Sequence, residues 1–422
     1  MPFSRRKLLT RAGIVSGLMA ATAMLPRWFP RLAFAPDQQE DATRDVLVVV
    51  FLRGGADALS MIVPHADEHY YQMRPRLAIP RPDAPQVDAR VLDLDGYFGL
   101  HPALASLHPI FQQKRMTAIH AVGSPHETRS HFEAMDYMER GTDGTGGLSS
   151  GWVARHLATL SRDSDTPLRG VGWGVSVQQG LLGIPSVVAM KSITDFHLQG
   201  NEKLAQTLMG SLSDIYKLEG EQHPLYHSAN STLEAIQLID RIRATPYRPS
   251  AGVVYPSTDF ASALQQTAML IKAQVGLEAS YMDLGGWDTH AEQGATEGRQ
   301  ADLMRELAGG LVAFHADMGN LMERVTVVVM SEFGRRVAEN ESLGTDHGHG
   351  GMMLVMNDKL VTPMVTARWA GLAPEVLYRG EDLPTTTDYR DVLSEVLQKR
   401  LNNQFTEEVF MGYQAQPLGI FG

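Results

Sequence analysis

Residues 45–52 read DVLVVVFL, in which Asp45 opens an uninterrupted apolar run rich in β-branched side chains. A strand with one wet face alternates apolar and polar residues, so a run without polar relief needs cover on both faces. That is the situation of a strand inside a parallel sheet, with helices above and below. The run ends in Arg53-Gly54-Gly55-Ala56-Asp57, a turn sequence. Similar runs recur at 116–122 (MTAIHAV) and 325–330 (VTVVVM), with further strands expected near 275–283 and 352–356.

Between the runs lie helical patterns. A helix is expected from about His131 to Arg140, a short one from Trp152 to Leu160, and one capped by Thr258 or Asp259 that runs to about Lys272. Leu303, Leu307, Leu311, Phe314, Met318 and Leu321 form one stripe of a long amphipathic helix, and Asp388 caps another. Residues 197–250 read as a mostly helical insertion with proline-rich exits. Strands alternating with helices predict an α/β fold with a mostly parallel central sheet, right-handed crossovers and helices on both faces.

The first 35 residues read differently. Arg5-Arg6-Lys7 precedes an apolar stretch from Ala12 to Leu25 that has no helical stripe. It is shorter than the roughly 20 residues a membrane-spanning helix needs, so it reads as a twin-arginine targeting signal. Ala33-Phe34-Ala35 has the small-x-small form of a cleavage site, but Pro36 follows; the segment is cut elsewhere or kept as an anchor. Residues 36–422 are then a single domain, working in the periplasm or outside the cell after passage through the twin-arginine translocase. Six of the 37 basic residues and none of the 48 acidic ones lie in the first 35, which leaves 31 against 48, a net charge of −17. Such a surface repels phosphate backbones and excludes a nucleic-acid partner. The chain has no cysteine, which removes disulfides, a thiol nucleophile and thiolate metal ligands.

In an open α/β sheet a ligand sits beyond the carboxyl ends of the strands. There the sequence places Asp57, Ser130, Asp288 with His290, and Glu332, with His347 and His349 shortly after. Asp288/His290 and His347/His349 are i, i+2 pairs that point one way in extended backbone. Oxygen and imidazole donors without sulfur suit zinc, manganese or another divalent ion. Asp57 also fits a turn, and Glu332 also fits an ion pair with Arg335 or Arg336. Ser130-x-x-Glu133 is a capping box, yet a helix N-terminus beside Arg129 also suits a nucleophile that attacks a bound anion. His126 and His131 add polar reach and serve equally well as structural residues. Gly147-Leu148-Ser149-Ser150-Gly151 has the form of a nucleophile elbow but lacks the strand that must precede one.

The blocks FLRGGADAL (51–59), RSHFEAMDYME (129–139), GGWDTH (285–290), SEFGRR (331–336) and GTDHGHGG (344–351) resemble the exported bacterial family called domain of unknown function 1501. That family resembles a distant branch of the alkaline phosphatase and sulfatase superfamily. The resemblance implies an alkaline-phosphatase-like fold, one or two metal ions and a serine-type nucleophile. On these positions it implies Asp57, Asp288, His290 and His347 or His349 as metal ligands and Ser130 as the nucleophile. Ser130 or a bound water is then expected to attack, with Arg129 or Arg53 steadying the oxyanion. Glu332-Phe333 stands where the superfamily has Asp-His, the Asp288–His290 spacing is short, and the Ser-x-Pro-x-Arg mark of formylglycine sulfatases is absent. The expected function is hydrolysis of a phosphate or sulfate ester on a small molecule or polymer. The rival is a non-catalytic binding or envelope-assembly protein with a degenerate site.

Replacing Arg5 and Arg6 by lysine is expected to leave folded precursor in the cytoplasm. Cell fractionation checks this, and an unchanged periplasmic yield refutes it.

Overall fold

A computed structural model describes residues 44–85, 89–145, 147–160, 166–196, 210–211, 224–244 and 247–422. The targeting signal read in residues 1–35 and most of the first half of the insertion lie outside them. Twelve strands are present among the described residues: β1 (Val46–Arg53), β2 (Ile62–Val63), β3 (Leu92–Asp93), β4 (Gly99–Leu100), β5 (Met116–Gly123), β6 (Gly170–Trp173), β7 (Val187–Met190), β8 (Ala279–Gly285), β9 (Val325–Ser331), β10 (Gly351–Met356), β11 (Val365–Thr366) and β12 (Thr387–Asp388). β2, β4 and β3 form a small separate sheet, and the rest make one large sheet in the order β11-β5-β10-β9-β1-β8-β6-β7, with β12 also on β5.

The apolar run of β1 lies at the middle of that sheet, parallel to β8 on one side and β9 on the other. Its residues divide by parity. Val46, Val48, Val50 and Leu52 pack with the helices Asp259–Lys272 and Arg299–Met318. Leu47, Val49 and Phe51 pack with the helices Trp152–Thr159 and Tyr389–Arg400. Two covered faces remove the need for polar positions, which accounts for the run.

Every pairing in the large sheet is parallel except those of β10, which runs against both β5 and β9. This single reversal matters for the site. β9 ends and β10 begins at the same edge, so residues 332–350 leave and re-enter the sheet there, level with the ends of β1, β5 and β8.

Local details follow the sequence with a few shifts. Thr258 caps its helix by accepting from the Ala261 amide, and Asp388 accepts from the Arg390 amide. The strand expected at 275–283 starts at Ala279, after a buried Glu278 held by Arg44 and Arg169. Leu321 lies past the long helix, in the turn Gly319–Arg324. None of the described helices is long and apolar enough to cross a membrane.

Beyond β1 the turn is fixed by a fully buried ion pair. The Asp57 carboxylate accepts from the Arg74 guanidinium (2.5 and 3.0 Å), from Ser60 Oγ (2.8 Å) and from Gln293 Nε2 (2.7 Å). Arg74 also donates to the carbonyls of Val337 and Arg336. Burial alone would raise the Asp57 pKa, but Arg74 with the hydrogen bonds holds it below the usual carboxylate value. Arg74→Met strands this carboxylate without a counter-ion and is expected to cost about 3–5 kcal/mol in urea denaturation; a loss below about 1 kcal/mol would refute this role.

Candidate metal centre

Three loops meet at the carboxyl edge at backbone distance. Gly54 has φ +121°, and a Cβ there would lie 2.5 Å from the Asp288 amide nitrogen. A Cβ on Gly348 would lie 2.4 Å from the Arg335 carbonyl carbon. The space between the loops is filled by the buried side chain of Arg335. Its guanidinium donates to the carbonyls of Gly55 (2.6 Å), Thr345 (2.9 Å), Trp287 (3.2 Å) and Gly54, and to Asp288 Oδ1 (2.7 Å). Asp288 is thereby held at the mouth of the site. Burial works against its charge, but Arg335, His347 and His290 lower its pKa to about 2.

Histidines converge on that carboxylate. His131 Nε2, Asp288 and His347 Nε2 lie within 4.8 Å of one another. From Asp288 Oδ1 the distances are 3.4 Å to His131 Nε2, 3.3 Å to His347 Nε2 and 3.1 Å to His290 Nε2. The other nitrogen of each ring faces an oxygen acceptor. His131 Nδ1 is 2.7 Å from Glu332, His347 Nδ1 is 2.8 Å from the Arg129 carbonyl, and His290 Nδ1 is 3.2 Å from Asp346. Carboxylates and carbonyls only accept, so with the proton on Nδ1 each ring donates to the oxygen behind it and leaves its Nε2 lone pair to the centre, the tautomer a bound ion requires.

That arrangement lacks a positive charge in its middle. His131 Nε2 is buried and makes no hydrogen bond, and the Nε2 atoms of His290 and His347 stand 2.9 Å apart. A zinc–nitrogen bond of about 2.0 Å implies a tetrahedral edge of about 3.3 Å. The three distances to Asp288 bracket that edge, and an oxygen acceptor behind each ring is the usual support of a metal-bound imidazole. The residues therefore fit a divalent ion. Burial and Arg335 lower the His347 pKa, whereas the bond to Glu332 raises that of His131. Glu332 stays ionised despite its burial because His131 and the amides of Gly54 and Gly55 favour its charge.

The expected site residues divide on this geometry. Asp288, His290 and His347 come together. Glu332 stands one step back, behind His131, and pairs with that ring rather than with Arg335 or Arg336. Asp57 is not at the centre, since Arg74, Ser60 and Gln293 take its oxygens. His349 also lies apart, its ring stacked on Tyr378 at 4.9 Å. The chain bends at His349, so the extended spacing that should have aligned it with His347 does not apply.

Ser130 is the N-cap of the helix His131–Arg140, but the capping box does not form: its hydroxyl makes no capping bond, and Glu133 accepts from Thr128 Oγ1 instead. The Arg129 side chain is paired with the buried Asp382, and Arg53 is held by Glu139 and Asp283. His131 and Arg335 are the residues that sequence reasoning undervalued. His131 follows the end of β5, as Asp288 and His290 follow that of β8, and that was the available signal.

No curated protein matches the chain. Among solved structures, the alkaline phosphatase from the Antarctic bacterium TAB5 aligns over 88% of this chain and 100% of its own, at 8% identity and a TM-score of 0.31. The sequence model of one family, described as protein of unknown function (DUF1501), matches residues 44–358. With most of its length matched, from β1 to just past β10, the chain belongs to the DUF1501 family.

Proposed function

We propose that this protein is a metal-dependent hydrolase of phosphate or sulfate esters, with a divalent ion such as zinc or manganese held by His131, Asp288 and His347, and His290 beside them. The observation that carries the reading is the buried His131 Nε2, without a hydrogen bond, set against the Asp288 carboxylate and an imidazole nitrogen of His347. A bound divalent ion supplies charge that neutralises the ester anion and polarises its leaving oxygen. Ser130 lies between two residues tied to the centre: the Arg129 carbonyl orients His347, and His131 is a ligand. With its hydroxyl not used in the cap, and with helix N-terminal amides that favour an anion, Ser130 is the nucleophile of this proposal. Arg129 serves through its carbonyl rather than as an oxyanion clamp. The enzyme works outside the cytoplasm after export by the twin-arginine route, a reading supported by Arg5-Arg6 and by the absence of cysteine.

One observation favours a non-catalytic metal-binding or assembly protein instead. Arg53 and Arg129, the arginines the sequence offers to an anion, are both committed to carboxylates.

Protein purified without a chelating column and loaded with zinc or manganese is expected to retain the ion by elemental analysis. His131→Ala and Asp288→Ala are expected to lose it while remaining folded; equal metal content in all three refutes the centre. On aryl phosphate mono- and diesters and aryl sulfate, Ser130→Ala is expected to lose orders of magnitude in turnover. Its stability is expected to change by less than about 1 kcal/mol, because no capping bond is lost. Loaded wild type that hydrolyses none of these esters favours the non-catalytic reading.

A further inference from the structure

We infer that Gln293 is a positioning residue of the metal centre, the link that sets the loop bearing Asp288 and His290 against the loop bearing Asp346 and His347. The inference rests on the metal reading above and adds how the ligands are held.

Gln293 is completely buried and lies outside the ligand cluster. Its Oε1 accepts from Thr289 Oγ1 at 2.9 Å and from Thr345 Oγ1 at 2.7 Å. Thr289 stands between Asp288 and His290. Thr345 precedes Asp346, the carboxylate behind His290, and His347. One carbonyl oxygen thus joins two hydroxyls, one from each ligand loop. The backbone repeats the connection, since the Thr345 amide donates to the Thr289 carbonyl and the Gln293 amide to the Leu343 carbonyl.

The other end of the carboxamide fixes its orientation. Gln293 Nε2 donates to Asp57 Oδ2 at 2.7 Å, and a carboxylate can only accept. The amide therefore cannot flip, and its oxygen must face the threonines. Asp57 is itself anchored by Arg74, whose guanidinium also holds the Arg336 and Val337 carbonyls, next to Arg335. Asp57 is then the fixed base of a chain that runs through Gln293 to both ligand loops.

Only a carboxamide meets this pattern, with a donor toward an anion and an acceptor for two hydroxyls on one planar group, and glutamine carries it here. Glutamate turns the donor into a second negative charge beside Asp57. Methionine keeps the shape and loses both functions.

The test compares Gln293→Met, Thr345→Val and Thr345→Ser with wild type. Zinc affinity is read by competition with a chromophoric chelator, and the melting temperature is read separately on metal-free protein. Losses of about 10- to 100-fold in zinc affinity are expected for Gln293→Met and Thr345→Val, the usual effect of removing a support behind metal ligands. Thr345→Ser, which keeps the hydroxyl, is expected to bind zinc like wild type. A merely structural role lowers the melting temperature and leaves the affinity of the folded protein unchanged, and that result in the valine variant overturns the inference. Should Gln293→Met not fold, the Thr345 pair decides alone. A wild type that takes up no zinc refutes the metal reading, and this inference with it.

Discussion

The guanidinium of Arg335 is the interaction on which the site depends. Three loops approach at the carboxyl edge, and among the described residues the carbonyls of Gly54, Gly55, Trp287 and Thr345 receive no backbone donor there. Leaving even one such group unpaired costs about 1–3 kcal/mol. Arg335 offers donors in a planar fork, and these satisfy carbonyls from the β1 turn, the 285–290 loop and the 344–351 loop. A buried cation in turn requires an anion. Asp288 is that anion, and so its carboxylate stays ionised at the place where the histidines gather.

The sheet explains why these loops meet at all. With β10 reversed, residues 332–350 form an excursion with both ends on the carboxyl edge, and His347 is returned to face the end of β8. In a fully parallel arrangement the chain would have crossed to the opposite edge before starting the next strand. His131 arrives separately, at the start of the helix after β5, which neighbours β10 on its other side.

The strands with strong apolar runs were legible in the sequence: β1, β5 and β9 lie within a residue of their expected bounds. β6 and β7 were not, because GVGW and VVAM are short, and in β6 half the residues are glycine. Asp288 and His290 were legible as polar residues after a strand, and His347 as one in the loop that follows β9; the structure brings the three together. Asp57 misled because its partner, Arg74, comes 17 positions later in a segment with no motif. His349 misled because the i, i+2 rule holds only in extended chain and the backbone bends there. His131 was undervalued because the capping pattern around Ser130 accounted for that segment without it. Gln293 carries no local signal, as its role exists only once two distant threonines are brought to it.

The resemblance implied one ion or two, and the side chains favour one. The two acidic positions that would serve a second ion are already neutralised from within the protein. Asp57 is paired with Arg74, both side chains fully buried, and a second ion there would have to displace that guanidinium. Removing one partner of a buried pair costs about 3–5 kcal/mol, more than a loosely held ion returns. Glu332 is spent on His131, and Phe333, in place of an imidazole, packs its ring 4.8 Å from His131 and 4.9 Å from His347. In the proposed one-ion centre, Glu332 and Phe333 would therefore act as supports behind the histidines rather than as ligands. In the proposed centre, with Asp288 already balanced by Arg335, a bound divalent ion would keep most of its charge for the anion of an ester.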